Sequence, residues 1–380
     1  MDKVGIVTAH TGYNYGTYLQ AYAMKKFMNQ LGFDSRIIWQ KSFGPKGRDF
    51  RLKKLIVMTL RMAINYKYSG GAIQGYTKNF AAEPSEKSKK MFDEFSTDYL
   101  SVEEYSLHSL KKFARSNEVK AVICGSDQIW SAASMYPDPL YYLRFAPQGK
   151  RIAYAPSFGK SNIPDYNKKR ISKFLNGIPN ISIRETAGAQ IIKDLIGKDV
   201  EVMPDPTMIV DWSNWQNNKK EDYLLVYFLD EPQEYVISDI KEVASKLNLK
   251  IKVILSEHKV YSDLPNYEFV DAGPKEFVEM ISKARFMCTD SFHGTIFSIL
   301  GKTNFFTYPR NYGKVQSQNS RIETLLSHYD LEDRLRSECS PIDNLDEDIP
   351  FGKCEAIRAQ DVEKATEYMN NALDACLMVK

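Results

Sequence analysis

Residues Asp290-Ser291-Phe292-His293-Gly294-Thr295 bring a carboxylate, two hydroxyls, an imidazole and a glycine together between a strand-like run (Arg285 to Thr289) and an apolar helical run (Ile296 to Leu300). An imidazole such as that of His293 suits both proton donation and proton abstraction. A helix start turns N–H groups toward anions such as phosphate or carboxylate, and Gly294 lets a ligand approach the backbone closely. The motif therefore reads as an acid–base group beside an anion site formed with Ser291, Gly294 and Thr295. It reads equally as a capped helix whose histidine packs at a domain edge.

Four more polar clusters follow strand-like runs. Asn14-Tyr15-Gly16 lies before the first helical run, where backbone N–H groups and an aromatic face suit a sugar or a phosphate. A turn that needs a glycine explains Gly16 but not the neighbouring Tyr13, Asn14 and Tyr15. Ser126, Asp127, Gln128 and Trp130 form a polar and aromatic patch of the kind that stacks on sugar rings. Asp127 either deprotonates an acceptor hydroxyl or caps a following helix. Ser157 stands in a Pro-Ser-Phe-Gly loop, and Arg184 ends another run beside Glu185.

Parallel α/β elements are the frame that gathers such loops on one edge. Val4 to Ala9 reads as a strand, and Thr17 to Leu31 as a helix with Leu19, Ala23, Phe27 and Leu31 in register, closed by Gly32. Strand candidates continue at Arg36 to Trp39, Ala121 to Cys124, Arg151 to Ala155, Ile181 to Ile183 and Val200 to Met203. A second series begins at Tyr223 to Phe228 and runs through Ile251 to Leu255 toward Asp290, with helices at Tyr235 to Leu247 and Lys275 to Ala284. The expectation is an N-terminal α/β domain over 1–210 with a basic segment inserted at about 43–100. A C-terminal α/β domain follows over 211–359, then a helix in 360–380 that packs back on the first domain. Two facing Rossmann-like domains of this kind line a cleft with the loops beyond their strand ends.

Composition narrows the function classes. The 380 residues are 43% hydrophobic and 26% charged, the profile of a packed globular protein. A net charge of +3 is too small to mark a nucleic-acid partner. Five scattered cysteines without a C-x-x-C pair, and five histidines without ligand spacing, predict no disulfide framework, no metal and a reducing compartment. The N-terminus lacks the apolar core of a signal peptide, and no run reaches the length of a spanning helix, so a cytoplasmic protein is expected.

The chain resembles the polysaccharide pyruvyl transferases. The resemblance rests on Asn14-Tyr15-Gly16 with Leu19-Gln20-Ala21-Tyr22-Ala23, Gly125-Ser126-Asp127-Gln128-Ile129-Trp130, Tyr154-Ala155-Pro156-Ser157-Phe158-Gly159, Ser182-Ile183-Arg184-Glu185, Asp205-Pro206 and Ser291-Phe292-His293-Gly294, in family order over about residues 3 to 330. It implies a two-domain fold like that of B-type glycosyltransferases. It also implies transfer of pyruvate from phosphoenolpyruvate onto two hydroxyls of a sugar as a cyclic ketal, with release of phosphate and no cofactor. His293 and Asp127 are then the catalytic candidates. Donor contacts fall to Arg184, Ser291, Gly294, Thr295, Arg310 and Arg321, and acceptor contacts to Asn14, Tyr15, Gly16, Ser126, Gln128, Trp130 and Ser157. Several family members carry an arginine two residues before the histidine, where this chain has Ser291. Arg310 and Arg321, which follow the His293 helix, are the replacements considered. For Arg184 the plainer alternative is an exposed strand-end residue paired to Glu185 or Asp205.

Residues 43 to 67 are basic and carry Leu52, Leu55, Ile56, Thr59, Leu60 and Ala63 at helical spacing. The segment reads first as a helix packed on the body with a solvated basic face. Its second reading is a peripheral contact with the inner face of the cell membrane, which suits an acceptor linked to a polyprenyl diphosphate. Two rival functions accompany the pyruvyl transferase: a nucleotide-sugar glycosyltransferase of the same architecture, and a non-catalytic saccharide-binding protein.

Overall fold

The computed structural model describes residues 1–42, 51–64, 84–131, 134–217, 219–254, 259–310, 319–338, 342, 345 and 349–376. These fall into two compact units, one drawn from Met1–Lys78, Ser96–Val210 and Gln360–Lys380, the other from Asn79–Phe95 and Asp211–Ala359.

The first unit is built on a seven-stranded sheet with every pairing parallel. Its strands are β1 (Lys3–Val7), β2 (Asp34–Gln40), β3 (Glu103–Tyr105), β4 (Val119–Cys124), β5 (Arg151–Ala153), β6 (Asn180–Ile183) and β7 (Glu201–Val202), in the order β3-β2-β1-β4-β5-β6-β7. The central strands read as continuous apolar runs because helices cover both faces. Strand order reverses between β1 and β4, and Val7 pairs with Cys124 at their carboxyl ends. The loops that begin at Thr8 and Gly125 therefore leave the sheet side by side, where open α/β sheets bind ligands.

Helix α1 (Tyr15–Gln30) starts at Asn14, whose side chain accepts from the Thr17 N–H. It buries Leu19, Ala23, Met24 and Phe27 against the sheet. The helix begins two residues earlier than the apolar spacing suggests, so Tyr15 and Gly16 belong to its first turn and not to a loop.

The second unit repeats the plan with five parallel strands, β8 (Glu221–Tyr227), β9 (Lys250–Ile254), β10 (Tyr267–Val270), β11 (Ala284–Thr289) and β12 (Asn304–Thr307). Their order is β10-β9-β8-β11-β12, with the reversal between β8 and β11. Thr289 pairs with Tyr227, so the loops that begin at Phe228 and Asp290 also leave together. The motif at Asp290 to Thr295 thus occupies this unit's own switch point.

The segment at 43–100, read from sequence as one insertion of the first domain, is divided. Helix α2 (Leu52–Ile64) lies in the first unit, whereas α3 (Glu86–Phe95) lies in the second. There the Phe95 ring packs 5.7 Å from that of Trp215, and Ser88 Oγ accepts from the Ala272 N–H. Aromatic burial on the second unit outweighs chain neighbourhood. The short strands β3, β10 and β12 carry too few alternating apolar residues to stand out in the sequence. The last helix, Phe351–Ala375, contributes to the first unit from Gln360 onward, where Tyr368 donates to the Ala153 carbonyl at 3.0 Å.

Candidate active site

At the switch point of the first unit, Arg184 and Asp205 form an ion pair of 2.6 Å, with side chains 1% and 0% exposed. Arg184 follows β6, and Asp205 caps the short helix Pro206–Ile209 by accepting from the Thr207 N–H and Oγ1 through Oδ1. Ser126 Oγ lies 2.8 Å from the other carboxylate oxygen and 2.8 Å from the Ala155 carbonyl. The Ser126 N–H donates to Gln20 Oε1, and the Gln20 amide donates to Thr8 Oγ1, Ala9 O and Thr17 O. One buried glutamine thus ties the ends of β1 and β4 and the start of α1 together, satisfying groups that would be costly to bury unpaired.

Asp127 sits above this layer with its side chain 16% exposed. Its Oδ2 accepts from Thr17 Oγ1 at 3.0 Å, its Oδ1 from the Gln128 N–H at 2.7 Å, and Arg184 Nη2 is 3.8 Å away. Among the described residues no helix follows it directly, so the helix-cap reading of Asp127 fails and the carboxylate stays at the rim of the switch point. Gly125 has no room for a side chain, since a Cβ there would lie 1.9 Å from the Tyr154 carbonyl oxygen.

Several sequence expectations are corrected here. Trp130 is 1% exposed, stacked on Tyr142 at 5.1 Å, and donates its indole N–H to the Tyr141 carbonyl. It is a core residue and cannot stack on a sugar, because Tyr142, Phe158 and the sheet already cover it. Ser157 is fully buried and donates to Glu185 Oε1, the same oxygen that accepts from the Phe158 N–H. Tyr15, Gly16 and Ser126 are buried as well. Of the acceptor candidates, Asn14 and Gln128 keep partial exposure. Arg184 is paired to Asp205 as the plainer alternative held, yet it is buried, which makes the pair costly to break.

In the second unit, Asp290 accepts from the Leu229 N–H at 2.7 Å and the Asp230 N–H at 2.9 Å, which fixes the loop after β8 against the end of β11. Burial pushes the Asp290 carboxyl up to about 6, against the opposing pull of Arg310 and the two N–H donors. Arg310 is 2.9 Å from Asp230 and 3.6 Å from Asp290. Asp230 is a site residue that sequence reasoning misses, although a carboxylate in the acidic loop Asp230-Glu231 after a strand run is a visible signal.

His293 is the second residue of α4 (Phe292–Leu300) and is 6% exposed. Its ring packs edge-on against Phe292 at 5.2 Å, and Arg321 stands 5.6 Å from the Phe292 ring centre. Ser291 is the N-cap and accepts from the Gly294 N–H at 3.2 Å. The expected anion contacts at Ser291, Gly294 and Thr295 are corrected accordingly. The Ser291 side chain and the Gly294 N–H satisfy each other, and Thr295 donates to Ser291 O and lies 3.0 Å from Thr307 Oγ1. Gly294 is needed for close packing on β11, since a Cβ there would lie 2.7 Å from Thr289 Oγ1. Arg310 reaches Asp290, three residues before the histidine, and Arg321 reaches the Phe292 ring beside it.

The model of the family described as polysaccharide pyruvyl transferase matches residues 14–312 of the chain. No curated protein matches it in sequence. Among solved structures, the chain is similar to UDP-GlcNAc 2-epimerase from Neisseria meningitidis bound to UDP-GlcNAc, at 10% identity over 99% of this chain and 98% of that one, with a TM-score of 0.48. It is also similar to S. aureus MnaA in complex with UDP, at 11% identity over 97% and 91%, with a TM-score of 0.49. E. coli heptosyltransferase WaaC with ADP matches at 12% identity over 94% and 99%, with a TM-score of 0.38.

Proposed function

Because the chain belongs to the polysaccharide pyruvyl transferase family, whose model spans most of its length, we propose that it moves pyruvate from phosphoenolpyruvate onto two hydroxyls of a saccharide. The product is a cyclic ketal, the by-product is phosphate, and the role is in surface or exopolysaccharide biosynthesis in the cytoplasm. The observation that carries this reading is His293 at the start of α4, with Arg321 beside the neighbouring Phe292 ring and Arg310 at the same strand end. An acid–base imidazole with two guanidinium groups nearby suits a small donor that bears a carboxylate and a phosphate.

The reaction balances without an added reagent. A proton moves to the methylene carbon and makes it a methyl group. One acceptor hydroxyl attacks the oxocarbenium-like carbon, the C–O bond to phosphate breaks, and the second hydroxyl closes the ring. The two hydroxyl protons end on the methyl carbon and on phosphate. His293 is assigned the proton delivered to carbon, and Arg310 and Arg321 the donor's negative charges. Asn14, Asp127 and Gln128, the partly exposed polar groups at the first switch point, are assigned to the acceptor. Arg184, locked on Asp205, is assigned to positioning that loop layer.

The test incubates the protein with phosphoenolpyruvate and a panel of free, nucleotide-linked and lipid-linked saccharides, following phosphate release and product mass. Acceptor-dependent phosphate release with a ketal-bearing product is the expected result. Transfer of a sugar from a nucleotide sugar, with phosphoenolpyruvate untouched, would overturn the reading.

A further inference from the structure

Helix α2 (Leu52–Ile64) is amphipathic in the reverse sense for a helix on a protein body. Leu52, Ile56, Leu60 and Ile64 are 66, 51, 58 and 78% exposed, and none of the helix's residues is buried. Leu55, Thr59 and Ala63 share that outward face, so the spacing i, i+3, i+4, i+7, i+8 and i+11 from Leu52 to Ala63 points away from the unit. Arg61 turns inward, on the side of the half-buried Val57, Met58 and Met62. Arg61 donates to the Met135 and Tyr166 carbonyls at 3.0 and 2.7 Å and lies over the Tyr166 ring. Just before the helix, Arg51 pairs with the buried Asp138 and lies over the Trp39 ring. The two arginines thus fix which way the helix faces, and what they present outward is apolar.

We propose that this face of α2 rests on an anionic phospholipid bilayer, in the plane of the headgroups. Charge argues for the lipid. Residues 50–82 contain six Lys or Arg and no Asp or Glu; Arg51 and Arg61 are used inward, so on the described part of the helix Lys53 and Lys54 carry the positive charge. Lys53 is exposed at the edge of the apolar stripe, where a lysine stem lies along hydrocarbon and its ammonium reaches phosphate. A second copy of this chain fits less well. A two-fold contact sets the same patch against itself and doubles its positive charge, and α2 has no Asp or Glu to meet it. Among the described residues no helix is long and apolar enough to cross a membrane, so the contact is peripheral. The surface does not depend on the phosphoenolpyruvate reading.

The experiment floats the full-length protein with phosphatidylcholine vesicles, and with vesicles that also contain phosphatidylglycerol, at low and high salt. Sedimentation velocity runs beside it. The wild type is expected to float with the anionic vesicles at low salt and to fall away at high salt. The double variant Ile56→Glu, Leu60→Glu is expected to lose about tenfold in the bound-to-free ratio, with unchanged melting and turnover on a soluble acceptor. Lys53→Glu should weaken only the binding to anionic vesicles. Absence of wild-type flotation overturns the proposal. So does a dimer in sedimentation that the double variant splits while neither protein floats, because that result assigns the face to a second copy.

Discussion

The Arg184–Asp205 pair offers the sharpest perturbation. Both side chains are essentially sealed from water at 2.6 Å, so removing one charge strands the other, which costs about 3–5 kcal/mol. The two single variants should differ. Asp205→Asn keeps a carbonyl oxygen to accept from Thr207 but turns an NH2 toward the guanidinium, so the full cost is expected there. Arg184→Met keeps the apolar stem and leaves the carboxylate with the donors from Thr207 and Ser126. It should cost less, on the order of 2 kcal/mol. The double variant should lie within about 2 kcal/mol of wild type, since no charge is then stranded. At roughly 2–4 °C per kcal/mol for a unit of this size, Asp205→Asn lowers the melting temperature by about 10 °C. Differential scanning calorimetry, with the two units resolved as separate transitions where they separate, measures all three. Additive losses, with the double variant as low as the sum of the singles, would refute the coupling of the two charges on which the positioning role rests.

Three further outcomes follow from the same geometry. His293→Ala should lower kcat by about 10²–10⁴-fold with an unchanged circular dichroism spectrum, and residual turnover near wild type would remove the assigned acid. Asp290 is raised from 3.8 to about 6 by burial, so its contribution to stability is full below about pH 4 and is lost as pH rises through 6. At about 1.4 kcal/mol per pH unit that is roughly 3 kcal/mol by pH 7. The melting temperature of wild type should therefore fall relative to Asp290→Asn between pH 4.5 and pH 7.5 (both about, as buffers allow), and parallel curves would show that burial does not raise the group. Trp130→Phe should lower the melting temperature while leaving the acceptor KM unchanged, because the indole is core; a raised KM would restore it to the sugar site.

The fold was legible where hydrophobic periodicity is strong. β1, β4, β8 and β11 are buried on both faces and read as unbroken apolar runs, and α1 announces itself by its apolar spacing and Gly32. The site was legible as loops but not as roles. Sequence shows that Trp130, Ser157 and Thr295 stand near strand ends, yet nothing in it distinguishes a residue that faces a ligand from one that faces Tyr142, Glu185 or Thr307. The same limit hid the inversion of α2. A basic amphipathic segment looks as if its charges face water, and only the acceptors at Met135, Tyr166 and Asp138 turn its arginines inward.

Ser291 shows how one such local role constrains the chemistry. As the N-cap of α4 it holds the Gly294 N–H, a contact whose loss costs about 1 kcal/mol. An arginine at this position, as in several members of the family, supplies a cation two residues from the histidine but has no oxygen with which to cap. The chain keeps the cap and carries its cations elsewhere: Arg321 reaches the Phe292 ring from the helix Ser320–His328, and Arg310 reaches the end of β11 through Asp230 and Asp290. Arg310 is held by Asp230 and Asp290, whereas Arg321 lies over the Phe292 ring on which the His293 imidazole also packs. Of the two, Arg321 is therefore the stronger claimant for the donor. Arg321→Gln should raise the phosphoenolpyruvate KM more than Arg310→Gln does, and the reverse order would place the donor at the carboxylate pair instead.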